Sequence, residues 1–163
     1  FASLLASYFY IRFNSVMWPP QGIQPPALTL PAINTLIVLV SSVVMQWALG
    51  SIRRGEVGRL RAGLAAAFVL YAAFLAIQFL QYAQAGFPPR GEAYGSLFWA
   101  ITGLHALHVL AGLLMNAFVQ VRAGYRHFGT DRYQAVENIV LYWHFVDIVW
   151  LLIFVCLYLS PYL

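Results

Sequence analysis

His105, His108, His144 and Asp147 stand inside stretches that are otherwise apolar, and Glu137 lies at the edge of one. An ionisable group in hydrocarbon is costly, about 2.5–3.5 kcal/mol for a central Asp on the insertion scale, so each needs a partner or a purpose. Three chemistries suit these residue types. Neutral imidazole ligates haem iron, and a b-type haem held between helices would take His105 or His108 together with His144. His105, His108 and Asp147 have the ligand types of a metal site. Glu137, His144 and Asp147 have the spacing of a proton relay along one helix face. A plainer reading stands beside them. Each histidine has a carboxylate or hydroxyl neighbour at helical spacing, and a two-ligand haem site leaves one histidine of the 105/108 pair unused. The residues themselves therefore favour a polar seam of interhelical hydrogen bonds made by Thr102, His105, His108, Asn116, Glu137, His144 and Asp147.

The spacing shows which elements must position these groups. Thr102, His105, His108, Gly112 and Asn116 recur every three or four residues, a polar and small stripe on an otherwise apolar helix. Such a stripe must face protein and not lipid. Glu137 and His144 share a face of the next helix, with Asp147 one turn on, at a depth similar to that of His108. A hydrogen bond from Asp147 to His105 or His108 would offset much of both insertion costs. Gln78, Gln81 and Gln84 form a further row, expected at a helix contact or an interfacial face. Thr35, Ser41 and Ser42 suit close helix packing. Trp18, Tyr94, Trp99 and Tyr158 fall near span ends, as an interfacial aromatic belt requires.

Those helices belong in a membrane. Of the 163 residues, 62% are hydrophobic and only 9% charged, whereas a soluble domain carries about 25% charged residues. Mean hydropathy is +0.75. The expected fold is all-α, an integral membrane bundle of five transmembrane helices forming a single domain over residues 1–163, with helices at about 1–13, 31–52, 62–84, 96–121 and 136–160. The first run rises only about 20 Å, short of the roughly 30 Å of hydrocarbon, and with the sequence beginning at Phe1 it reads as the end of a longer helix. Pro19, Pro20, Pro25 and Pro26 place a loop after it, and Gly86, Pro88 and Pro89 end the third helix.

Arginine supplies all nine of the lysine-plus-arginine positions. Arg53, Arg54, Arg59, Arg61, Arg122, Arg126 and Arg132 follow helices two and four, against Arg12 and Arg90 in the alternate loops. This is a topology signal and not a nucleic-acid footprint. It predicts a multi-pass protein of a bacterial plasma (inner) membrane with its N-terminus cytoplasmic and its C-terminus outside. Cys156, alone in an apolar run, reads as a buried structural thiol. The sequence has no phosphate-binding glycine loop, HExxH, CxxC or Ser/His/Asp arrangement, so it lacks recognisable parts for autonomous catalysis.

Two segments carry a family resemblance. Residues 102–112 read TGLHALHVLAG and residues 137–150 read ENIVLYWHFVDIVW. The Tyr142 to Asp147 run, with a glutamate seven residues before His144, is the more specific of the two. Together with Asn34-Thr35-Leu36, Ser41-Ser42 and the Ser7-Tyr8-Phe9 region, they resemble subunit III of the haem-copper respiratory oxidases, the cytochrome c oxidase subunit III family, in its shorter five-helix form. The position of a membrane glutamate usual in the family's first retained helix falls before Phe1, so its role is assigned to no residue of this sequence. The resemblance implies an accessory subunit with no active site of its own and no haem or copper, both expected in the partner subunits. It implies packing on oxidase subunits I and II, bound phospholipid, sustained turnover of an enzyme that reduces O₂ to water coupled to proton translocation, and room for a larger respiratory supercomplex. Alternatives are subunit III of a quinol oxidase, an autonomous membrane cytochrome b using the histidines, and a small transporter.

Overall fold

The computed structural model describes residues 1–20, 27–89, 92–125 and 127–162; Pro25, Pro26, Arg90 and Arg126 lie outside them. Among the described residues five α-helices follow in order: α1 Ala2–Asn14, α2 Thr29–Arg53, α3 Val57–Gln84, α4 Ala93–Gly124 and α5 Gln134–Ile153. The last continues as a π-helical turn, Phe154–Leu159, and a 3₁₀ turn, Ser160–Tyr162. In an apolar solvent a chain must satisfy its own backbone, and apolar runs of this length do so as helices. Among the described residues, α2, α3, α4 and the continuous Gln134–Tyr162 segment are long and apolar enough to cross a membrane. At 13 residues, α1 rises only about 20 Å.

The helix ends extend beyond the apolar runs that predict them. Arg59 and Arg61 fall within the first turns of α3, and α4 continues through Arg122 to Gly124. Charge limits the hydrocarbon span, not the helix, so an α-helix carries on into the headgroup region. Between α2 and α3 the chain reverses in three residues. Gly55 takes φ 79°, the left-handed region that costs glycine nothing, and its N–H donates to the Ile52 carbonyl at 2.8 Å.

α2, α3, α4 and α5 close into a ring, because α5 packs against both α4 and α2, and α1 leans on α4. The most extensive contact joins α2 and α3. Gly63 makes it possible, since a Cβ there would lie 2.6 Å from the Ala48 Cβ. Gly112 does the same between α4 and α5, where a Cβ would come within 2.8 Å of the Trp143 ring. Trp143 fills the centre by stacking flat on Tyr71, with ring centroids 3.5 Å apart.

Polarity is arranged inside out relative to a soluble bundle. Asn34, Ser41, Gln78, Thr102, His105, Asn116 and Asp147 are buried, while Val43, Leu107, Leu114, Phe118, Leu141 and Ile148 are exposed. The aromatic residues near the span ends behave differently from a belt. Tyr94 and Tyr158 are fully buried, and Trp18 packs edge-on against Tyr8 and Tyr94 with centroids 5.4 and 5.3 Å away. They plug one end of the bundle because α1 and the C-terminal turns fold over them. Tyr8 shares a hydrogen bond with Ser160 at 3.2 Å, and Arg12 donates to the Ser160 carbonyl at 2.8 Å.

Candidate functional site

The stripe on α4 faces protein, as its composition requires: Thr102, His105, Gly112 and Asn116 are buried and His108 is half-buried. The seam it was expected to form with Asp147 has other partners. Asp147, 5% exposed, accepts the Tyr71 hydroxyl on both carboxyl oxygens, at 3.0 and 3.1 Å. That hydroxyl comes from α3, not α4. His105 and Asp147 line one narrow crevice with Val38, Tyr71, Phe74, Val109 and Val146, but no hydrogen bond joins them. His105 instead sits among rings, with Trp150 at 5.4 Å and Phe74 at 5.7 Å between centroids, and its buried Nδ1 has no partner among the described residues.

His108 turns back on its own helix, where Nδ1 bonds the Leu104 carbonyl at 2.8 Å. A carbonyl only accepts, so the proton of this ring is on Nδ1. The α4–α5 link at this level is made by Tyr142, whose hydroxyl donates to the His108 carbonyl at 2.8 Å. Thr102 likewise bonds back to Phe98, at 2.7 Å. Asn116 is fully buried, with neither amide atom paired among the described residues.

His144 faces α2. Its Nδ1 lies 2.8 Å from Ser42 Oγ and its Nε2 3.3 Å from Gln46 Oε1. An amide oxygen only accepts, so Nε2 carries a proton and donates to Gln46. Asp147 Oδ2 is 4.0 Å from Nδ1, a near neighbour without a shared proton. A turn further along, Trp150 Nε1 donates to Thr35 Oγ1 at 3.1 Å, and Asn34 donates to the Phe74 carbonyl at 3.4 Å. The polar residues of α2 therefore receive α5 and α3. At the arginine-rich end Glu137 pairs with Arg53 at 2.6 Å, so this carboxylate is engaged with α2 and not with His144.

These placements bear on each chemistry. His144 is turned to α2 while His105 points into the α3–α4–α5 interior, so the histidine pair drawn for a haem is not brought face to face. Among the described residues no three His, Cys, Asp or Glu side chains converge as a metal-binding group, and His105, His108 and Asp147 have separate surroundings. Sequence reasoning missed Tyr71, Tyr142 and Gln46, whose hydroxyl and amide groups supply partners across the helices. Tyr71, the one polar atom in the middle of α3, was the available signal. Of the glutamine row, Gln78 and Gln81 are buried and Gln84 is exposed; Tyr158 donates to Gln81 Oε1 at 2.9 Å.

The described residues thus define a polytopic helical bundle of membrane composition whose interior is laced by short polar contacts. Residues 1–162 match the family model for Cytochrome c oxidase subunit III, and the chain belongs to that family. Among its relatives, cytochrome c oxidase subunit 3 of Cyprinus carpio is 38% identical over 142 residues, covering 86% of this chain and 54% of the relative. That of Paracentrotus lividus is 38% identical over 163 residues, covering 93% and 62%. That of Locusta migratoria is 34% identical over 163 residues, covering 94% and 62%. The chain thus spans between about half and two thirds of the length of these relatives. Their animal origin overturns the bacterial plasma membrane expected from the arginines, and with it the cytoplasmic assignment of the N-terminus, and points to the mitochondrial inner membrane. Charge asymmetry between loops distinguishes the two faces of a membrane but carries no label for which membrane it is.

Proposed function

We propose that this chain is a non-catalytic subunit of a haem-copper terminal oxidase, the enzyme that reduces O₂ to water coupled to proton translocation. It packs on the redox-active subunits I and II, holds phospholipid against its apolar outer faces and sustains turnover, within a larger respiratory assembly where one forms. α1 serves as the fifth membrane helix of a single transmembrane domain. Thr102, His105, His108, Asn116, Glu137, His144 and Asp147 act as structural polar groups; haem and copper belong to the partner subunits. Family membership supports this reading. The observation that carries it is that His144 and Asp147, the ionisable residues of the helix-five motif, use their hydrogen-bonding groups on α2 and α3 of the same chain.

The test is made on the intact complex. An axial ligand fixes the spectrum and potential of iron, so its loss shifts or abolishes an absorption band. His105→Ala, His108→Ala and His144→Ala complexes are expected to keep the redox spectrum and metal content of the parent while losing stability or turnover lifetime. Loss of one haem equivalent from any of them, at normal subunit stoichiometry, would overturn the accessory reading in favour of a cytochrome.

A further inference from the structure

One polar place on the outer surface lies at membrane depth between α2 and α5. In the groove between α2 and α5, Gln46 is exposed and the His144 side chain is 33% exposed, amid exposed Leu39, Val43, Leu141 and Ile148. Gln46 lies seven residues before Arg53, hence about 10 Å inside the Arg53–Glu137 pair that marks the rim, within hydrocarbon and beyond the headgroups. The amide is held from behind: Oε1 accepts from His144 Nε2, and Ser42 fixes the imidazole on its other side. This buttress turns Nε2 outward, and no described residue accepts from it. Two N–H groups are thereby presented to the outside at a depth where lipid tails offer no acceptor, an arrangement that is costly in hydrocarbon.

We infer that the α2–α5 groove is a docking face for a transmembrane helix of another subunit, one that places a hydrogen-bond acceptor against Gln46 Nε2. The occupant follows from chemistry. Lipid tails could cover Leu39, Val43, Leu141 and Ile148 but leave the amide unmet, whereas a helix presents side-chain or freed backbone oxygens at this depth. His144 is here a positioning residue: it orients the amide and takes no part in redox chemistry. The inference rests on the accessory-subunit reading and names the surface through which that subunit is held.

The experiment uses the whole oxidase in its native membrane, with a photoreactive amino acid at position 43 beside the groove. The expected result is an adduct with another subunit of the purified complex, mapped by mass spectrometry to a membrane-depth peptide with an acceptor side chain. Adducts with phospholipid alone, in a complex of normal composition, would overturn the docking face and leave the accessory role standing. A parent chain that co-purifies with no redox-active subunit would overturn both. Independently, Gln46→Leu is expected to weaken retention of the chain in the complex roughly 2- to 12-fold, the range for one hydrogen bond, with Gln46→Glu, whose carboxylate has no N–H to donate, recovering less than Gln46→Asn. The chain itself should insert at parental levels, since the substitution gives up one intrachain hydrogen bond, to His144, while α2 stays apolar. Unchanged or tighter retention of Gln46→Leu would mean that the amide faces lipid, and the inference fails.

Discussion

Tyr71→Phe deletes a single oxygen from the centre of the bundle and tests what holds Asp147 there. The substitution keeps the ring and hence the stack on Trp143, with centroids 3.5 Å apart and planes within 4°. What disappears is the hydroxyl that reaches both carboxyl oxygens at 3.0 and 3.1 Å. Hydrogen bonds between membrane helices average about 0.6 kcal/mol and reach about 1.7. This one belongs near the upper end, because Asp147 is buried and the hydroxyl reaches both of its carboxyl oxygens. A loss of about 1.5 kcal/mol, at roughly 2–4 °C per kcal/mol for a chain of this size, lowers the melting temperature of the subunit by about 3–6 °C. The assay is thermal release or unfolding of the subunit in the purified complex, run as a double-mutant cycle with Asp147→Leu. Removing both partners should be milder than the sum of the single changes, since neither polar group is then left stranded. If Tyr71→Phe melts like the parent and the two changes simply add, Asp147 is satisfied by something else and the reasoning is wrong.

Other outcomes follow from the same geometry. Gly112→Ala should cost about 1–3 kcal/mol through overpacking, because the new methyl would meet the Trp143 ring at 2.8 Å; a melting temperature equal to the parent's would show that the ring moves aside freely. Arg53→Ala or Glu137→Ala should change thermal stability little despite the 2.6 Å contact, since the two side chains are 50% and 30% exposed and surface pairs contribute little; a large loss in either variant would contradict this. Cysteines placed at Gly58 and Thr130 should be labelled from the same side of the membrane, and one at Gly86 from the other, because Gly55 lies beside Thr130 at the arginine-rich end; labelling of 58 and 130 from opposite sides would break the ring topology.

The helices were legible in the sequence because lipid removes most alternatives. An apolar run of about 20 residues has one way to satisfy its backbone, and the arginine, proline and glycine clusters mark where it stops. The stripe of Thr102, His105, Gly112 and Asn116 was legible for the same reason, as its spacing forces it inward. What the spacing could not give was the neighbour. Asp147 was matched to histidines on α4 because they are the conspicuous polar groups at its depth. In the ring it meets α3 instead, where Tyr71 hides a single hydroxyl in an apolar run. His144 meets α2 because α5 is wedged between α2 and α4, an adjacency that no pattern along the chain encodes. Tyr94 and Tyr158 have the composition of an interfacial belt, and only the lid of α1 and the C-terminal turns makes them interior.

The bond from Arg12 to the Ser160 carbonyl has a consequence for biogenesis. The two residues are 148 positions apart, and at about 5–20 residues per second a ribosome needs roughly 7–30 s to make that stretch. For all of that time α1 is already synthesised, with its arginine lacking this acceptor and Tyr8 lacking the Ser160 hydroxyl. Until the final turns arrive, α1 is held by its contact with α4 and not by the C-terminal end. Chains stalled within α5 would carry an α1 that rests on α4 alone, its Arg12 end uncapped, a form that quality-control proteases could recognise before any partner subunit is engaged.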